Sequence, residues 1–476
     1  MNYRVVVLGA GPGGCLLARE LARGGVPVDL YERSTFEELG HDWSDAVERE
    51  PLAAAGLDMP DLQEGRWKGS LVKDDSCSEG KSKGVFETHA IPRLKLYSPD
   101  YGTVYDLEFK MITTDRRKLA QLLVQQARKA GAGIYYRREA LRLLYRETGN
   151  SSPEGVEVYG VQVRELETGE IKEIAADVIV ESTGFHSILR RSLPPYTGMA
   201  GEFAPADFAL VHREVRARVP EKASGDPVPD HYRYGYQAGY QWSHIHNEHR
   251  IDIGAGVGCG GSRPDPRNIV EEFISRHPSI GKERIRGGRS FCVVGPPLVH
   301  FTVSGFLVLG DAASMSIPST GCGVGSALQT GRWASRVLLE AAYDGRKDLE
   351  KLWEFNWKFF QQEGRGAHLA AISFLRLTLQ SLAHSSLNFL FHSGLLGAGE
   401  LEQVINGKFP RLSFQLLLEK IKPAARGVKH PALLKRTLSC LASSSKIYYH
   451  YCKYPAQWDK KSFYAWKNEA NKLFNS

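Results

Sequence analysis

Three glycines and a glutamate near the start of the chain stand at spacings that suit dinucleotide binding. Gly9, Gly11 and Gly14 form a Gly-x-Gly-x-x-Gly pattern directly after the apolar run VVVL and before a helical pattern. Such glycines allow a tight turn, close approach of a pyrophosphate to a helix N-terminus, and close packing of that helix. Glu32 ends the next apolar run, 21 residues after Gly11, where a carboxylate binds ribose hydroxyls. The sequence therefore predicts one dinucleotide site, with Arg33 beside Glu32 included in it.

A second stretch without large side chains is GDAASMSIPSTGCGVGSALQTG, residues 310–331, which places Asp311 directly after the apolar run FLVL. Small residues let a flat or anionic ligand approach the backbone closely. Another apolar run, VIVE, leads into a turn that contains Gly184. We expect these strand ends to line one elongated ligand. An aspartate that only caps the following helix is the alternative for Asp311.

Taken in order over residues 1–345, these motifs resemble those of FAD enzymes with the para-hydroxybenzoate hydroxylase architecture. The resemblance rests on the glycine turn with Glu32, then TTDRRKLAQLL, STG and GDAA…P…TGCGVG. It implies FAD as the cofactor, Asp311 on hydroxyls of the ribityl chain or ribose, and Arg116 near the ribityl chain. Ala140 is implied to meet adenine through its backbone. The other implied cofactor contacts lie at glycine turns and at the helix start beside the flavin ring: Gly184, Gly321, Gly323 and Val324.

An aromatic segment, HYRYGYQAGYQWSHIHNEHRIDIGAGVG, alternates in a way that predicts two antiparallel strands joined near HNEH. Tyr240 and Trp242 would then share a face. The segment resembles the region of the geranylgeranyl reductase family that carries Tyr-x-Trp-x-Phe-Pro, with His244 and Ile245 replacing Phe-Pro. The resemblance implies a wall of Tyr240 and Trp242 beside the flavin. Packing of both rings in a core is the alternative.

Cys322 stands where the same family has the glutamate of its TGEG loop. It could donate a proton, act as a redox partner or attach the flavin covalently, and a small buried filler is the alternative. His244, His246 and His249 are spaced for a strand-borne metal site. No cysteine or carboxylate completes a ligand set there, so no metal is expected.

The cysteine content and the distribution of charge indicate the compartment of the protein and the surfaces that it contacts. The 476 residues include seven cysteines without a Cys-x-x-Cys pair, which favours a reducing cytoplasm. Residues 401–476 hold fourteen Lys or Arg against four Asp or Glu, while the whole chain is only +7. Aromatic residues interleave with these lysines, which suits peripheral contact with an anionic membrane surface, and a solvated basic face is the alternative. No nucleic-acid partner is expected.

A stretch without Lys, Arg, Asp or Glu runs from residue 377 to residue 399. Polar residues interrupt it too often for a membrane span. A helix that lines an apolar tunnel or lies in a membrane interface fits the pattern, as does a buried core helix. The partner indicated is an apolar small molecule or lipid.

The fold class expected is α/β, with a Rossmann-type FAD-binding domain, an inserted β-rich substrate domain and a helical C-terminal region. The FAD-binding domain would comprise residues 1–45, 105–205 and 290–345, the substrate domain 46–104 and 206–289, and the helical region 346–476. The resemblance implies an FAD-dependent oxidoreductase that reduces isolated double bonds of an isoprenoid lipid or quinone side chain. Electrons would come from NAD(P)H or a reduced protein carrier. The alternatives are an O₂-dependent monooxygenase or halogenase acting on an aromatic substrate, and a flavoprotein that passes electrons to a membrane partner.

Overall fold

The computed structural model describes residues 3–60, 84–149, 151–223, 225–226, 228, 231–234, 239–261, 263–410 and 430–475. Strands and helices are numbered along the chain. The strands are β1 Val5–Leu8, β2 Val28–Tyr31, β3 Ser44–Glu48, β4 Phe86–Tyr97, β5 Val104–Asp115, β6 Gly133–Tyr135, β7 Arg138–Glu147, β8 Val156–Glu165, β9 Ile171–Ala175, β10 Val178–Glu181, β11 Phe208–Arg218, β12 His231–Tyr234, β13 Gly239–Asn247, β14 Arg250–Gly258, β15 Ile280–Val293, β16 Thr302–Val303 and β17 Phe306–Val308. The helices are α1 Pro12–Arg23, α2 Arg49–Ala54, α3 Arg116–Lys129, α4 Pro220–Ala223, α5 Pro266–Ser275, α6 Val324–Asp344, α7 Leu349–Trp357, α8 Arg365–Gln380, α9 His384–Ser393, α10 Ala398–Ile405, α11 Pro431–Tyr451 and α12 Lys460–Asn475.

The N-terminal glycine turn belongs to a six-stranded sheet with the order β16-β17-β10-β1-β2-β6. All neighbours pair in parallel except β16 with β17. β1 and β10 are buried at every position, as expected for parallel strands covered on both faces. Because parallel strands end at the same edge, the turns after β1, β2, β10 and β17 lie side by side.

The aromatic segment lies in a second sheet of eight strands, ordered β15-β11-β14-β13-β12-β4-β5-β3. The predicted hairpin is confirmed, because β13 pairs with β14 in antiparallel register. β12 pairs with β4 in parallel and with β13 in antiparallel fashion. A third sheet holds β7, β8 and β9. The predicted α/β fold class, with its Rossmann-type unit and β-rich insertion, is confirmed.

The sheet to which β5 and β15 belong affects where the domain boundaries lie. β5 pairs with β3 and β4, so residues 105–115 lie in the eight-stranded sheet rather than with the FAD-binding strands. β15 pairs with β11 along its length up to Val293, a few residues past the expected boundary at 289. The division into domains stays a prediction.

Helices α7, α11 and α12 pack onto the six-stranded half of the molecule, whereas α9 and α10 pack against β4 and β5 of the eight-stranded sheet. Aromatic side chains of α7, α11 and α12 and of the segments beside them are buried in one cluster with the strands β1 and β17. At its centre Trp353 stacks on Tyr454, 5.5 Å between ring centroids, and meets Phe463 edge to face. No helix in the described residues combines the length and the apolar character needed to cross a membrane.

Candidate FAD site and an adjoining apolar pocket

A cavity of about 430 Å³ follows the edge at which β1, β2, β10 and β17 end. It is lined by every residue that the sequence analysis assigned to cofactor or catalysis, with the exception of Gly14. Those lining residues are Gly9, Gly11, Glu32, Arg33, Arg116, Ala140, Gly184, Tyr240, Trp242, Asp311, Gly321, Cys322, Gly323 and Val324. Ala140 lies within β7 rather than after a strand, because the run GIYYRREA contains the whole of β6 and the start of β7.

The three motif glycines have different reasons for lacking a side chain. Gly9 has φ +99°, and a Cβ there would lie 2.4 Å from the carbonyl oxygen of Ser182. Gly14 is buried beneath the turn, where a Cβ would lie 2.6 Å from the carbonyl oxygen of Gly9. At Gly11 the nearest atom to a Cβ would be Ser182 Oγ, 3.5 Å away, so the protein itself leaves room there. The space beside Gly11 belongs to the cavity, which is where a cradled pyrophosphate needs it.

Gly13 is a further glycine with a structural role that was not predicted from the sequence. A Cβ at Gly13 would lie 2.7 Å from the carbonyl oxygen of Ala327, and one at Gly331 would lie 2.3 Å from the carbonyl oxygen of Gly13. These two glycines therefore let α1 and α6 approach closely. Gly13 and Gly331 are 318 residues apart in the chain, so no local sequence pattern indicates that they face each other.

Glu32 follows β2 and faces the glycine turn. Its carboxylate accepts hydrogen bonds from the backbone N–H of Ala10, at 2.7 Å, and of Ser34, at 2.9 Å. Both bonds hold the carboxylate at the cavity wall, where ribose hydroxyls of a dinucleotide would reach it.

Asp311 lies on a short helical turn, Gly310–Ala313, directly after β17. Burial raises the pKa of Asp311 to about 6, and the cation of Arg116 acts in the opposite direction. A Cβ at Gly323 would lie 2.9 Å from Asp311 Oδ1. The N-cap of α6 is Gly323, without a side-chain cap, and within the described residues no hydrogen bond joins Asp311 to the first N–H groups of α6. The structure thus offers the helix N-terminus, with its partial positive charge, to the cavity.

Arg116 is fixed by a network that the sequence did not reveal. Its guanidinium contacts Asp45 at 3.1 Å, and Arg213 contacts the other oxygen of Asp45, also at 3.1 Å. Arg213 forms a further ion pair with Asp252 and lies 5.2 Å over the ring of Trp242. Burial works against the charge of Arg213, but Asp252 and Asp45 outweigh it and raise its pKa.

Tyr240 and Trp242 share one face of β13, as the alternation predicts, with ring centroids 5.6 Å apart. Tyr232 on β12 completes the group, 5.6 Å from Tyr240 and 6.4 Å from Trp242. The hydroxyl of Tyr240 donates a hydrogen bond to the carbonyl oxygen of Thr320. Trp242 also packs over Gly254 of β14, where a Cβ would lie 2.1 Å from its ring. The aromatic group is therefore both a packed layer of the sheet and a wall of the cavity.

Cys322 lies in the loop that leads to α6, and its backbone N–H donates to Thr320 Oγ1 at 3.3 Å. Burial raises the pKa of its thiol, and the carboxylates of Glu48 and Asp45 raise it further. The thiol is therefore protonated at physiological pH and is not present as a thiolate nucleophile. Glu48, which was not predicted from the sequence, is mostly buried, and burial raises its pKa. It lies against Gly325 at the start of α6.

The three histidines that were considered and rejected as metal ligands differ in solvent exposure. His244 and His246 are buried on β13, whereas His249 is exposed in the hairpin turn. In the parts of the chain that the structure describes, no group of three or more His, Cys, Asp or Glu residues is arranged to hold a metal ion.

A narrow apolar pocket of about 90 Å³ adjoins the larger cavity. Five residues line both spaces: Val211, Tyr240, Cys292, Thr320 and Gly321. The apolar wall comes from α8, α9 and α10 and the segments between them: Ile372, Leu375, Leu379, Leu387, Phe391, Leu396, Leu401, Val404 and Ile405. The uncharged stretch 377–399 thus spans the end of α8, all of α9 and the start of α10, and it lines a pocket.

Comparisons with known proteins agree with this geometry. A family model of the FAD binding domain matches residues 87–223. The digeranylgeranylglycerophospholipid reductase of Sulfolobus acidocaldarius is 23% identical over 484 residues, covering 99% of this chain and 97% of that protein. The enzyme of the same name from Methanothrix thermoacetophila is 28% identical, covering 83% of this chain and 91% of that protein.

Solved structures share the fold. A geranylgeranyl bacteriochlorophyll reductase-like protein from Thermoplasma acidophilum superimposes with a TM-score of 0.66 at 20% identity, covering 92% of this chain and 99% of that chain. The myxobacterial chondrochloren halogenase, an FAD-dependent halogenase, gives a TM-score of 0.57 at 15% identity, covering 94% and 97%. The protein is an FAD-dependent oxidoreductase that resembles the geranylgeranyl reductases, and FAD is its cofactor.

Proposed function

We propose that this flavoprotein reduces isolated carbon–carbon double bonds of an isoprenoid lipid or quinone side chain. The observation that carries the proposal is the apolar pocket that joins the FAD cavity at Tyr240, Thr320 and Gly321. Each CH₂ buried in such a pocket contributes about 0.8 kcal/mol to binding. Its volume of about 90 Å³ admits part of a long chain, so the rest of the substrate would extend along the shared wall or out of the protein. The names of the relatives support the same substrate class.

The residues that line the larger cavity fit FAD. A Cβ at Gly9 would clash with the Ser182 backbone, whereas the space beside Gly11 is open, and Glu32 is held opposite this turn. We assign the ribose hydroxyls to Glu32, the ribityl region to Asp311 and Arg116, and the flavin ring to the start of α6 at Gly323. The rest of the predicted set, Arg33, Ala140, Gly184, Gly321 and Val324, lines the same cavity and is assigned to the cofactor with them.

Reduced FAD supplies a hydride, and the second carbon of the alkene must then receive a proton from the protein or from water. Cys322 is the donor we favour, because its thiol carries a proton at physiological pH and its residue lines the cavity. The hydroxyl of Tyr240 is the alternative donor, already engaged with the carbonyl of Thr320. Tyr240 and Trp242 hold the alkene against the flavin side of the cavity.

Product mass tests the proposal directly. Dithionite-reduced protein, kept anaerobic with a geranylgeranyl lipid or a polyprenyl quinone, should add two mass units per turnover. Tyr240→Ala and Trp242→Ala should each slow this at least tenfold, which requires about 1.4 kcal/mol of lost transition-state positioning. Arg336→Gln, an exposed position on α6, is the control and should turn over normally. A product heavier by sixteen units, formed only with O₂, would overturn the reductase in favour of the monooxygenase that the shared fold with FAD-dependent halogenases also allows.

We further propose that the protein docks on an anionic membrane surface through α11. Lys435, Leu438, Ala442, Lys446 and Tyr449 follow one another at steps of three or four residues and are all exposed, Leu438 by 48% and Tyr449 by 50%. Residues 430–458 contain no Asp or Glu. Exposed lysines beside exposed apolar side chains suit a membrane interface. α11 packs against α8, and Leu433 and Leu434 near its start pack on the apolar cluster that includes residues of α9 and α10. The helix that carries this face therefore lies on the helices that line the apolar pocket.

The electron donor is proposed as NAD(P)H or a reduced protein carrier. Anaerobic mixing of the oxidised protein with each donor, followed by the loss of flavin absorbance, distinguishes the two. Bleaching by neither donor would favour the reading in which electrons are exchanged with a membrane partner.

A further inference from the structure

One charged side chain lies in the wall of the apolar pocket. Among the described residues that line this pocket, Arg376 of α8 is the one with a charge. Its side chain is only 6% exposed. Burial lowers the pKa of Arg376 to about 10, and Asp207 partly opposes this, so the guanidinium stays protonated at physiological pH.

The hydrogen bonds of Arg376 do not engage all the donors of its guanidinium. One terminal nitrogen donates to Gln380 Oε1 at 2.9 Å and the other to the carbonyl oxygen of Ala206 at 2.8 Å. The buried Nε has no hydrogen-bond partner in the described part of the chain. No carboxylate of the described residues forms an ion pair with Arg376, and the side chain of Asp207 instead accepts from the backbone N–H of Ala204.

A buried cation in this position is energetically unfavourable without a partner of opposite charge. Transfer of a charge into an apolar environment carries a large penalty unless the charge is paired and hydrogen-bonded. Two neutral acceptors satisfy the hydrogen bonds of the guanidinium only in part and do not balance its charge. A ligand oxyanion would do both, since the planar guanidinium matches carboxylate and phosphate geometry.

We infer that the apolar pocket binds an amphiphile whose oxyanion, a phosphate or a carboxylate, pairs with Arg376. The inference rests on the proposed function and narrows its substrate to a prenyl chain that carries an anionic group. Cys292 lines both spaces; burial raises the pKa of its thiol, and the guanidinium of Arg376 acts in the opposite direction. The anion would therefore be held near the junction with the FAD cavity, with the apolar chain along α8, α9 and α10.

Equilibrium binding to the FAD-loaded protein tests the inference without any turnover. Farnesyl phosphate and farnesol share a chain and differ in the oxyanion, and each is titrated calorimetrically at fixed salt. The wild-type protein should bind the phosphate at least tenfold more tightly. In Arg376→Gln this ratio should fall to near one, and Arg376→Lys should keep part of it because the charge remains without the planar fork. Arg336→Gln should keep the wild-type ratio.

The ratio of the affinities for farnesyl phosphate and farnesol distinguishes a ligand contact of Arg376 from a purely structural role. If Arg376 only ties α8 to Ala206, its replacement weakens both ligands equally and the ratio is unchanged, which overturns the inference. Should Arg376→Gln fail to fold or lose flavin, the wild-type ratio decides, and a value near one overturns the inference as well. Inorganic phosphate that binds as tightly as farnesyl phosphate would indicate a free-anion site and overturn the lipid assignment. Reduction of farnesol with no phosphate preference would leave the proposed function standing while the role of Arg376 failed.

Discussion

Replacing either of the first two glycines of the N-terminal turn by alanine adds one methyl group. We expect this to lower stability at Gly9 and to weaken cofactor binding at Gly11. At Gly9 an added Cβ would lie 2.4 Å from the carbonyl oxygen of Ser182, and φ is +99°. Backbone strain of this kind costs about 1–3 kcal/mol, and overpacking adds about 1–3 kcal/mol. Gly9→Ala should therefore lower the free energy of unfolding of the apoprotein by about 2–6 kcal/mol.

The same methyl group at Gly11 should behave differently. Its nearest neighbour would be Ser182 Oγ at 3.5 Å, and φ at this N-cap is −67°. Alanine is a poorer N-cap than glycine by up to about 1 kcal/mol, while the loss of unfolded-state freedom returns about 0.4–1 kcal/mol. Gly11→Ala should leave the apoprotein within about 1 kcal/mol of wild type. It should nevertheless weaken FAD binding at least tenfold, about 1.4 kcal/mol, because the methyl group occupies the space of the pyrophosphate.

The assay needs two measurements on apoprotein freed of flavin. Chemical unfolding followed by circular dichroism gives the stability, and quenching of flavin fluorescence on titration gives the Kd for FAD. Gly399→Ala is the matched control, because a Cβ at that glycine of α10 meets no atom within 4 Å. A wild-type Kd in Gly11→Ala would refute the assignment of this space to a pyrophosphate. Equal destabilisation at positions 9 and 11 would refute the packing argument.

Other variants address single groups. Because burial raises the pKa of Asp311 to about 6, the folded apoprotein holds a proton that the unfolded chain has released, so stability should fall as the pH rises from about 4 to about 6; Asp311→Asn should flatten that part of the unfolding profile, and an unchanged slope would contradict the burial argument. Glu32→Ala should weaken FAD binding by about 1.5–3 kcal/mol, the scale of charge-assisted hydrogen bonds, and full flavin occupancy at sub-micromolar FAD would remove Glu32 from the site. The double variant Lys435→Gln/Lys446→Gln should lose about 2 kcal/mol of binding to anionic vesicles in sedimentation, since each lysine near the surface contributes about 1 kcal/mol; unchanged sedimentation would point to another face. Cys322→Ser should slow alkene reduction more at high pH than at low pH if the thiol supplies the proton, and identical pH profiles would favour Tyr240 as the donor.

Patterns local to a few residues were enough to predict the dinucleotide turn and the hairpin. The turn depends on backbone freedom at Gly9 and on the apolar run before it, and both are properties of neighbouring residues. The hairpin of Tyr240 and Trp242 follows from alternation within one strand, which fixes the shared face whatever the rest of the chain does. For the same reason, the sequence predicted the parallel strand ends that carry Glu32 and Asp311, and these ends do lie along one cavity.

Contacts between distant segments were decided by tertiary packing alone. The network of Arg116, Asp45 and Arg213 joins the start of α3, the start of β3 and the middle of β11, which are up to 168 residues apart, and its members look like ordinary surface charges in the sequence. The pocket depends on α8, α9 and α10 folding back over β11 and β14, so the uncharged stretch alone could not separate a tunnel from a core helix. Arg376 shows the physical reason most clearly. Its position in the sequence is that of a charge in an amphipathic helix, and only the surrounding chain removes it from water and gives its charge a role.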